Sequence, residues 1–242
     1  MRIVIFSDIH ANLEALEAIL AETADLGVDR IVCLGDVVGY YADPEECVRR
    51  IREAKVVCVQ GNHDGVASGF EDPEDFNEVA TRVIRWTHDA LSDESRAWLR
   101  DLPKRVEIAP GIAAVHGSLR DRDEYLLSRY SIHSNFLLMR QEGLNRAVFF
   151  GHTHQRVVYA EVEDNVLTLP AKSFELTPGR RFLINPGGAG QPRDRIIGAP
   201  FVVLEDNLVH FRIATYDLDQ TAQKAARLPF GDLLADRLRR GV

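Results

Sequence analysis

The chain has 242 residues, an apolar fraction of 45% and a formal net charge of −8. That length and apolar content allow a substantial core in one large domain or two small ones. The acidic balance argues against binding that depends on the phosphate backbone of long DNA or RNA, and no apolar run approaches the roughly 20 residues a membrane helix needs.

The N-terminus opens directly on a strand, Arg2 to Phe6, without the apolar core and cleavage site of a signal peptide. The cysteines Cys33, Cys47 and Cys58 form no CxxC pair and read as buried thiols in a reducing compartment. A cytoplasmic protein is the expectation.

The first 60 residues alternate between strand and helix. After the opening strand, apolar residues at Leu13, Leu16, Ile19 and Leu20 predict a helix over 12–26, with Gly27 as its C-cap. A second strand ends at Leu34. Asp43 then caps a helix that carries Pro44 at its first position. A third strand covers 56–59. This βαβαβ rhythm predicts parallel strands with crossover helices. Residues 73–102 read as helical up to Pro103. Strands are predicted at 105–109 and 112–116 around a Pro110-Gly111 turn, and a helix over 131–142. After Gly151 the pattern is mostly strands: 156–162, 165–169, 181–184, 201–205 and 208–213. Short helices at 219–227 and 231–240 close the chain. We read residues 1–242 as one domain with two sheets.

Five polar motifs follow or end the apolar runs. They are Asp8-Ile9-His10, Gly35-Asp36, Gly61-Asn62-His63-Asp64, His116-Gly117-Ser118 and Gly151-His152-Thr153-His154. Strand ends converge on one rim of a sheet, where open α/β sheets hold their ligands. In an extended segment, residues two apart point the same way. Asp8 and His10 can then share one ion, as can His152 and His154, with Gly151 permitting an unusual turn before that pair. The lone pairs of the Asp36 carboxylate suit it to bridge two ions. Asn62 offers a neutral oxygen.

The set, in this order, resembles the calcineurin-like metallophosphoesterase superfamily, whose pattern is DxH, GD, GNH[D/E], H and GHxH. The run from Ser7 to Leu16 is similar to the small bacterial YfcE-like branch. So are Asn185-Pro186-Gly187 and Gly190-Gln191-Pro192-Arg193-Asp194. Three positions depart from the pattern: Gly188, where many relatives have Ser, and Tyr41-Ala42, where relatives often read Gly-Pro.

The resemblance implies two mixed β-sheets packed as a sandwich and flanked by helices, in a four-layer α/β/β/α arrangement. It implies one metal on Asp8, His10, Asp36 and His154, and a second on Asp36, Asn62, His116 and His152. His63 would face the leaving group, oriented by Asp64. The implied reaction is attack of a metal-bound hydroxide on the phosphorus of a small phosphodiester or nucleotide. Dinucleoside polyphosphate hydrolysis and phosphomonoesterase or protein phosphatase activity are the enzymatic alternatives. A non-catalytic scaffold is a further one, known from a retromer subunit that lacks the catalytic histidine. The nitrogen and oxygen donors suit Mn²⁺ first, then Fe, Zn²⁺, Co²⁺ or Ni²⁺. The expected partner is a small phosphorylated substrate, with no long nucleic acid and no membrane; a homo-oligomer is left open.

Around the motifs, Asn12, Tyr40 and Arg120 are candidate substrate contacts. Each has a structural alternative: a helix cap for Asn12, an exposed loop tyrosine for Tyr40 and an ion pair for Arg120. Tyr41 shares the reading of Tyr40 as a wall for an aromatic base, and Tyr125 stands near Arg120. His88 and His210 read as structural, His133 as structural or cleft-lining. The acidic stretch 71–78 reads as a solvated helix start, with a lid as the alternative.

Overall fold

A computed structural model describes residues 1–72, 76–163 and 165–242, with the side chain of residue 232 also left aside. The βαβαβ opening forms as expected. β1 (Arg2–Phe6), β2 (Arg30–Cys33) and β3 (Val57–Cys58) run parallel, crossed by α1 (Leu13–Ala24) and α2 (Pro44–Glu53). The Asn12 side chain accepts from the Ala15 amide and caps α1. Asp43 makes no such cap. Its carboxylate instead accepts from Lys224 at 2.8 Å, so an ion pair with the C-terminal region takes the place of the expected cap.

The stretch expected to be helical up to residue 102 is two helices, α4 (Glu78–Ala90) and α5 (Asp93–Arg100). Leu91 turns extended and the Ser92 hydroxyl caps the second helix from outside. A one-turn helix, α3 (Asn62–Ala67), follows β3 and carries part of the third motif. It is too short to show periodicity in sequence.

The remaining strands are β4 (Arg105–Ala109), β5 (Ile112–Val115), β6 (Ala147–Phe149), β7 (Val157–Val162), β8 (Asn165–Leu169), β9 (Phe174–Glu175), β10 (Arg181–Asn185), β11 (Ala199–Glu205) and β12 (Leu208–Ala214). They build two six-stranded sheets, ordered β3-β2-β1-β11-β12-β9 and β4-β5-β6-β10-β7-β8. Both are mixed. In the second, β5, β6 and β10 are parallel, whereas β4, β7 and β8 pair antiparallel.

Strand alternation fixes the layers. On β1, Ile3 and Ile5 face the other sheet and meet Ile112, Ala114, Phe149 and Ile184. Val4 and Phe6 face the opposite way, onto Leu16 and Ile19 of α1 and Val48 and Ile51 of α2. On the second sheet, Val115, Val148 and Phe150 pack under Phe136 and Met139 of α6 (Arg129–Gln141). Central strands are therefore buried on both faces, as parallel strands in a layered α/β fold must be. The closing helices α7 (Leu218–Ala225) and α8 (Gly231–Arg240) pack behind the loop of Tyr40 and Tyr41. Among the described residues, no helix is long and apolar enough to cross a membrane.

Candidate metal centre

All five motifs meet where the parallel strands of both sheets end. Asp8 and His10 follow β1, Asp36 follows β2, Asn62 and His63 open α3, His116 follows β5, and His152 and His154 follow β6. A backbone bond ties the two rims, the Gly190 amide donating to the Asp8 carbonyl at 2.9 Å, while within the second sheet the Gly151 amide donates to the His116 carbonyl at 2.7 Å.

The motifs converge, although on the facing rims of two sheets and not on one rim of a single sheet, and the local geometric reason also differs. Asp8, His10, Asp36, His152 and His154 are left-handed, with φ of 55°, 52°, 53°, 62° and 57°, so none sits in an extended segment. Such backbone is costly for side chains with a Cβ and clusters where function needs a particular aim. The Gly151 backbone, in turn, is not the unusual turn expected. A Cβ there would lie 1.9 Å from Ser7 Oγ, so glycine admits the close approach of two strand ends.

Three overlapping clusters bring ligand atoms within 4.8 Å of one another: Asp8, His10 and His154; His10, Asp36 and His63; and Asp36, His116 and His152. Asp36 Oδ2 lies 3.5 Å from His10 Nε2 and 3.4 Å from His116 Nε2, at the shared position. Asp8 Oδ1 is 3.4 Å from His154 Nε2. Asn62 Oδ1 is 3.1 Å from His116 Nε2.

Hydrogen bonding fixes which ring nitrogens face inward. Nδ1 of His10, His116 and His154 each meets a backbone carbonyl, of Val38, Leu34 and Gln191, at 3.1, 2.7 and 2.7 Å. A carbonyl only accepts, so each Nδ1 carries the proton and a neutral ring leaves Nε2 bare. The bare Nε2 atoms of His10 and His154 then stand 3.2 Å apart. Two facing lone pairs repel unless a cation lies between or beside them. This donor set fits divalent ions: imidazole nitrogens, carboxylates and an amide oxygen, with the outer nitrogens locked by backbone.

Charge follows the same logic. Burial holds His10 and His154 well below the usual imidazole range and takes His152 to about 3 and His63 to about 4. Burial also opposes protonation of His116, yet the adjoining Asp36 carboxylate outweighs it and raises that ring to about 9. Asp36 in turn overcomes its burial through His116 and His63 and stays well below the usual carboxylate range. Without an ion, the proton on His116 supplies the positive charge that Asp36 requires.

His63 is buried beside the centre. Its amide donates to Asp36 Oδ1 at 2.9 Å, and its ring lies 4.8 Å from those of Tyr40 and Phe76. Among the described residues, its Nδ1 has no partner. Asp64 does not orient this ring. Its carboxylate accepts from the amides of Asp36, Gly61 and Val38 at 2.8, 3.0 and 3.2 Å, so it ties two motif loops together. Burial, together with Asp36, nevertheless pushes Asp64 up to about 7.

The substrate-side expectations divide. Tyr40 lines a cleft beside the centre, with Asn62, His63, Phe76, Tyr125 and His152, in a cavity of about 170 Å³. Glu71, Asp72, Arg122 and Asp123 form its polar wall. Thus the predicted acidic stretch does border the cleft through residues 71, 72, 76 and 77, while 73–75 lie outside the described residues. Tyr41 is 1% exposed and packs among α7 and α8, so it is no wall. Asn12 is fully buried, its amide donating to the Gly190 carbonyl and the Tyr216 hydroxyl, which makes it a cap and a brace rather than a substrate contact. Arg120 bonds Glu124 and lies 5.3 Å from the Tyr130 ring centroid, the ion-pair alternative. His88 bonds the Ala67 carbonyl and His210 the Ser173 hydroxyl, both structural. His133 is exposed on α6, bonded to the Arg129 carbonyl and absent from the cleft wall.

Sequence reading missed Phe76, Arg122 and Asp123 at the cleft. None belongs to a motif; only tertiary packing brings them there. Asp123 presents its carbonyl 3.2 Å from His152 Nε2, which leaves Nδ1 of that ring for the centre.

A model of the calcineurin-like phosphoesterase superfamily domain matches residues 1–206. The chain belongs to that superfamily. It is 33% identical to an uncharacterized protein of Methanocaldococcus jannaschii, over 98% of this chain and 96% of that protein. The crystal structure of a metallophosphoesterase from Sphaerobacter thermophilus is 37% identical, covers 100% of this chain and 99% of its own, and superposes with a TM-score of 0.82. Structural neighbours also include the E. coli phosphoesterase Yfce, at 21% identity over 86% of this chain and 91% of that one, with a TM-score of 0.47. The two mixed six-stranded sheets and their flanking helices are the metallophosphoesterase sandwich.

Proposed function

We propose that this chain is a single-domain, cytoplasmic phosphoesterase that hydrolyses small phosphodiesters or nucleotides with two divalent ions, Mn²⁺ first among them. The observation that carries the reading is one carboxylate, Asp36, set between two groups of inward-facing imidazoles, with His63, whose Nδ1 has no partner among the described residues, beside it. Asp8, His10, Asp36 and His154 would hold one ion; Asp36, Asn62, His116 and His152 the other. When bound, such ions supply charge neutralisation at the phosphoryl oxygens and activation of a water.

The chain's own residues supply the rest. The backbone carbonyls of Val38, Leu34 and Gln191 hold the ligand rings in one tautomer. His63 would stabilise the leaving oxygen or donate a proton to it when substrate is present, and burial keeps its ring neutral until then. Tyr40 and Phe76 exclude water around its ring. An aromatic and polar cleft of this size suits a small organic group. Among the described lining residues, its carboxylates at Glu71, Asp72 and Asp123 face one guanidinium, Arg122, which is bonded to both Glu71 and Asp123. That balance disfavours a polyphosphate tail or an acidic phosphopeptide in the cleft, and so favours diesters over the dinucleoside polyphosphate and protein phosphatase alternatives.

The test is a panel of nucleotide diesters, monoesters, dinucleoside polyphosphates and a phosphoprotein, assayed with each divalent metal after metal analysis of the purified protein. Small diesters should show the highest kcat/KM. A clear preference for phosphoprotein would overturn the substrate assignment, and no hydrolysis with any metal would overturn the enzymatic one.

A further inference from the structure

Arg120 and Arg122, which follow the His116 motif in sequence, are both neutralised. Arg120 is bound to Glu124, and Arg122 to Glu71 and Asp123. Arg193 is different. It belongs to the Gly190-Gln191-Pro192-Arg193-Asp194 loop, which closes over the Asp8 side of the rim. The Gly190 amide bonds the Asp8 carbonyl at 2.9 Å, and the Arg193 amide bonds the His154 carbonyl at 3.2 Å.

Among the described residues, no carboxylate pairs with the Arg193 guanidinium. Its neighbour Asp194 is already committed to Arg156, at 2.7 Å. Nη2 donates only to neutral oxygens, Tyr40 Oη at 3.4 Å and Gln191 Oε1 at 3.2 Å. Nε is buried and has no partner among the described residues. The charge is close to the centre: after burial, it is among the influences that lower the proton affinity of His10, His63 and His154. A half-buried, unpaired guanidinium is costly. Beside two divalent ions it would be repelled as well. Both costs vanish when an anion sits between the guanidinium and the ions. A planar fork of donors next to metals is the arrangement that grips non-bridging phosphoryl oxygens.

We propose that Arg193 is a substrate contact that binds the non-bridging oxygens of the phosphoryl group and favours substrates by the charge that group carries. The assignment rests on the phosphoesterase reading above. It goes beyond that reading in naming a residue outside the five metal motifs and a basis for discrimination. A monoester dianion should depend on Arg193 more than a diester monoanion does.

The experiment measures inorganic phosphate binding by calorimetry to the Mn²⁺-loaded wild type, Arg193→Gln and Arg193→Lys, with metal content and melting temperature of each. Gln keeps donor and acceptor groups near Tyr40 and Gln191 but removes the charge; Lys keeps the charge without the fork. Arg193→Gln should retain its metals yet bind phosphate about 10- to 100-fold more weakly, the scale of a lost charge-assisted hydrogen bond. Arg193→Lys should fall between. In turnover, the Gln variant should lose more kcat/KM on a monoester than on the matching diester. Wild-type phosphate affinity in both variants, or equal losses on the two esters, would overturn the Arg193 assignment alone. Absence of phosphate binding by the metal-loaded wild type would instead overturn the phosphoesterase reading. If Arg193→Gln fails to fold, the Lys variant decides, since weakened phosphate binding with full metal content still requires the fork.

Discussion

Replacing Asp36 with Asn probes the centre most directly, because the structure dictates how the amide must sit. Asp36 Oδ1 accepts the His63 amide at 2.9 Å, so the Asn oxygen has to occupy that place; the opposite orientation would set two donors against each other. The NH₂ is then forced into the Oδ2 position, 3.5 Å from His10 Nε2 and 3.4 Å from His116 Nε2. There it donates to the lone pairs that should hold an ion, and it removes the shared negative charge. Two unit charges about 4 Å apart interact by about 4 kcal/mol at an effective dielectric of 20. A divalent ion near that carboxylate therefore loses at least about this much before water compensates, on the order of a thousandfold in affinity. The assay is metal content per chain after desalting, followed by calorimetric titration of Mn²⁺ into the stripped protein. We expect the wild type to retain or regain two ions and Asp36→Asn to bind both weakly. Two tightly held ions in the variant would refute the bridging role. Loss of only one would assign Asp36 to a single site.

His63→Ala should keep its metals and fold but lose about 10²–10⁴-fold in turnover, the usual scale of side-chain proton transfer; activity within about threefold of wild type on an activated diester at saturating Mn²⁺ would remove it from the reaction. Gly39→Ala should act on the same ring from a distance. Gly39 has φ of 99°, and a Cβ there would lie 2.5 Å from His63 Nδ1. Denaturant melts should show a loss of about 1–3 kcal/mol from the backbone alone, with turnover falling alongside, and a fully active, fully stable variant would contradict the geometry. Metal-free protein should melt at progressively lower temperature as pH rises from about 6.5 to 9. His116 has a folded pKa near 9 against 6.5 unfolded, so its contribution is complete below 6.5 and is lost as pH passes the folded value. With Mn²⁺ bound that proton is absent, and thermal melts should show a much flatter dependence in this window; identical slopes with and without metal would count against His116 as a ligand.

Much of this protein is written in local sequence. The βαβαβ opening, the strand alternation of Ile3 and Ile5 against Val4 and Phe6, and the helix capped by Asn12 follow from periods and caps, because each depends on neighbours within a few residues. The five motifs also name the centre, since strand ends in such folds carry the ligands, although the meeting of two sheet rims was not in the sequence. What sequence spacing got wrong was the local cause. Asp8 and His10 meet through left-handed backbone, a conformation held by the Gly35, Asp36 and Val37 carbonyls of the adjacent loop, which accept from the Asp8, His10 and Ala11 amides. Only tertiary structure could supply that. It alone decided that Asp64 braces backbone instead of His63, that Arg120 is spent on Glu124, and that Tyr41 is interior while Tyr40 lines the cleft. It also brought Phe76, Arg122 and Arg193 to the site from three separate segments. Hydrogen-bond partners and charge neutralisation are set by whichever groups packing brings within about 3–4 Å, and a one-dimensional pattern carries no record of those distances.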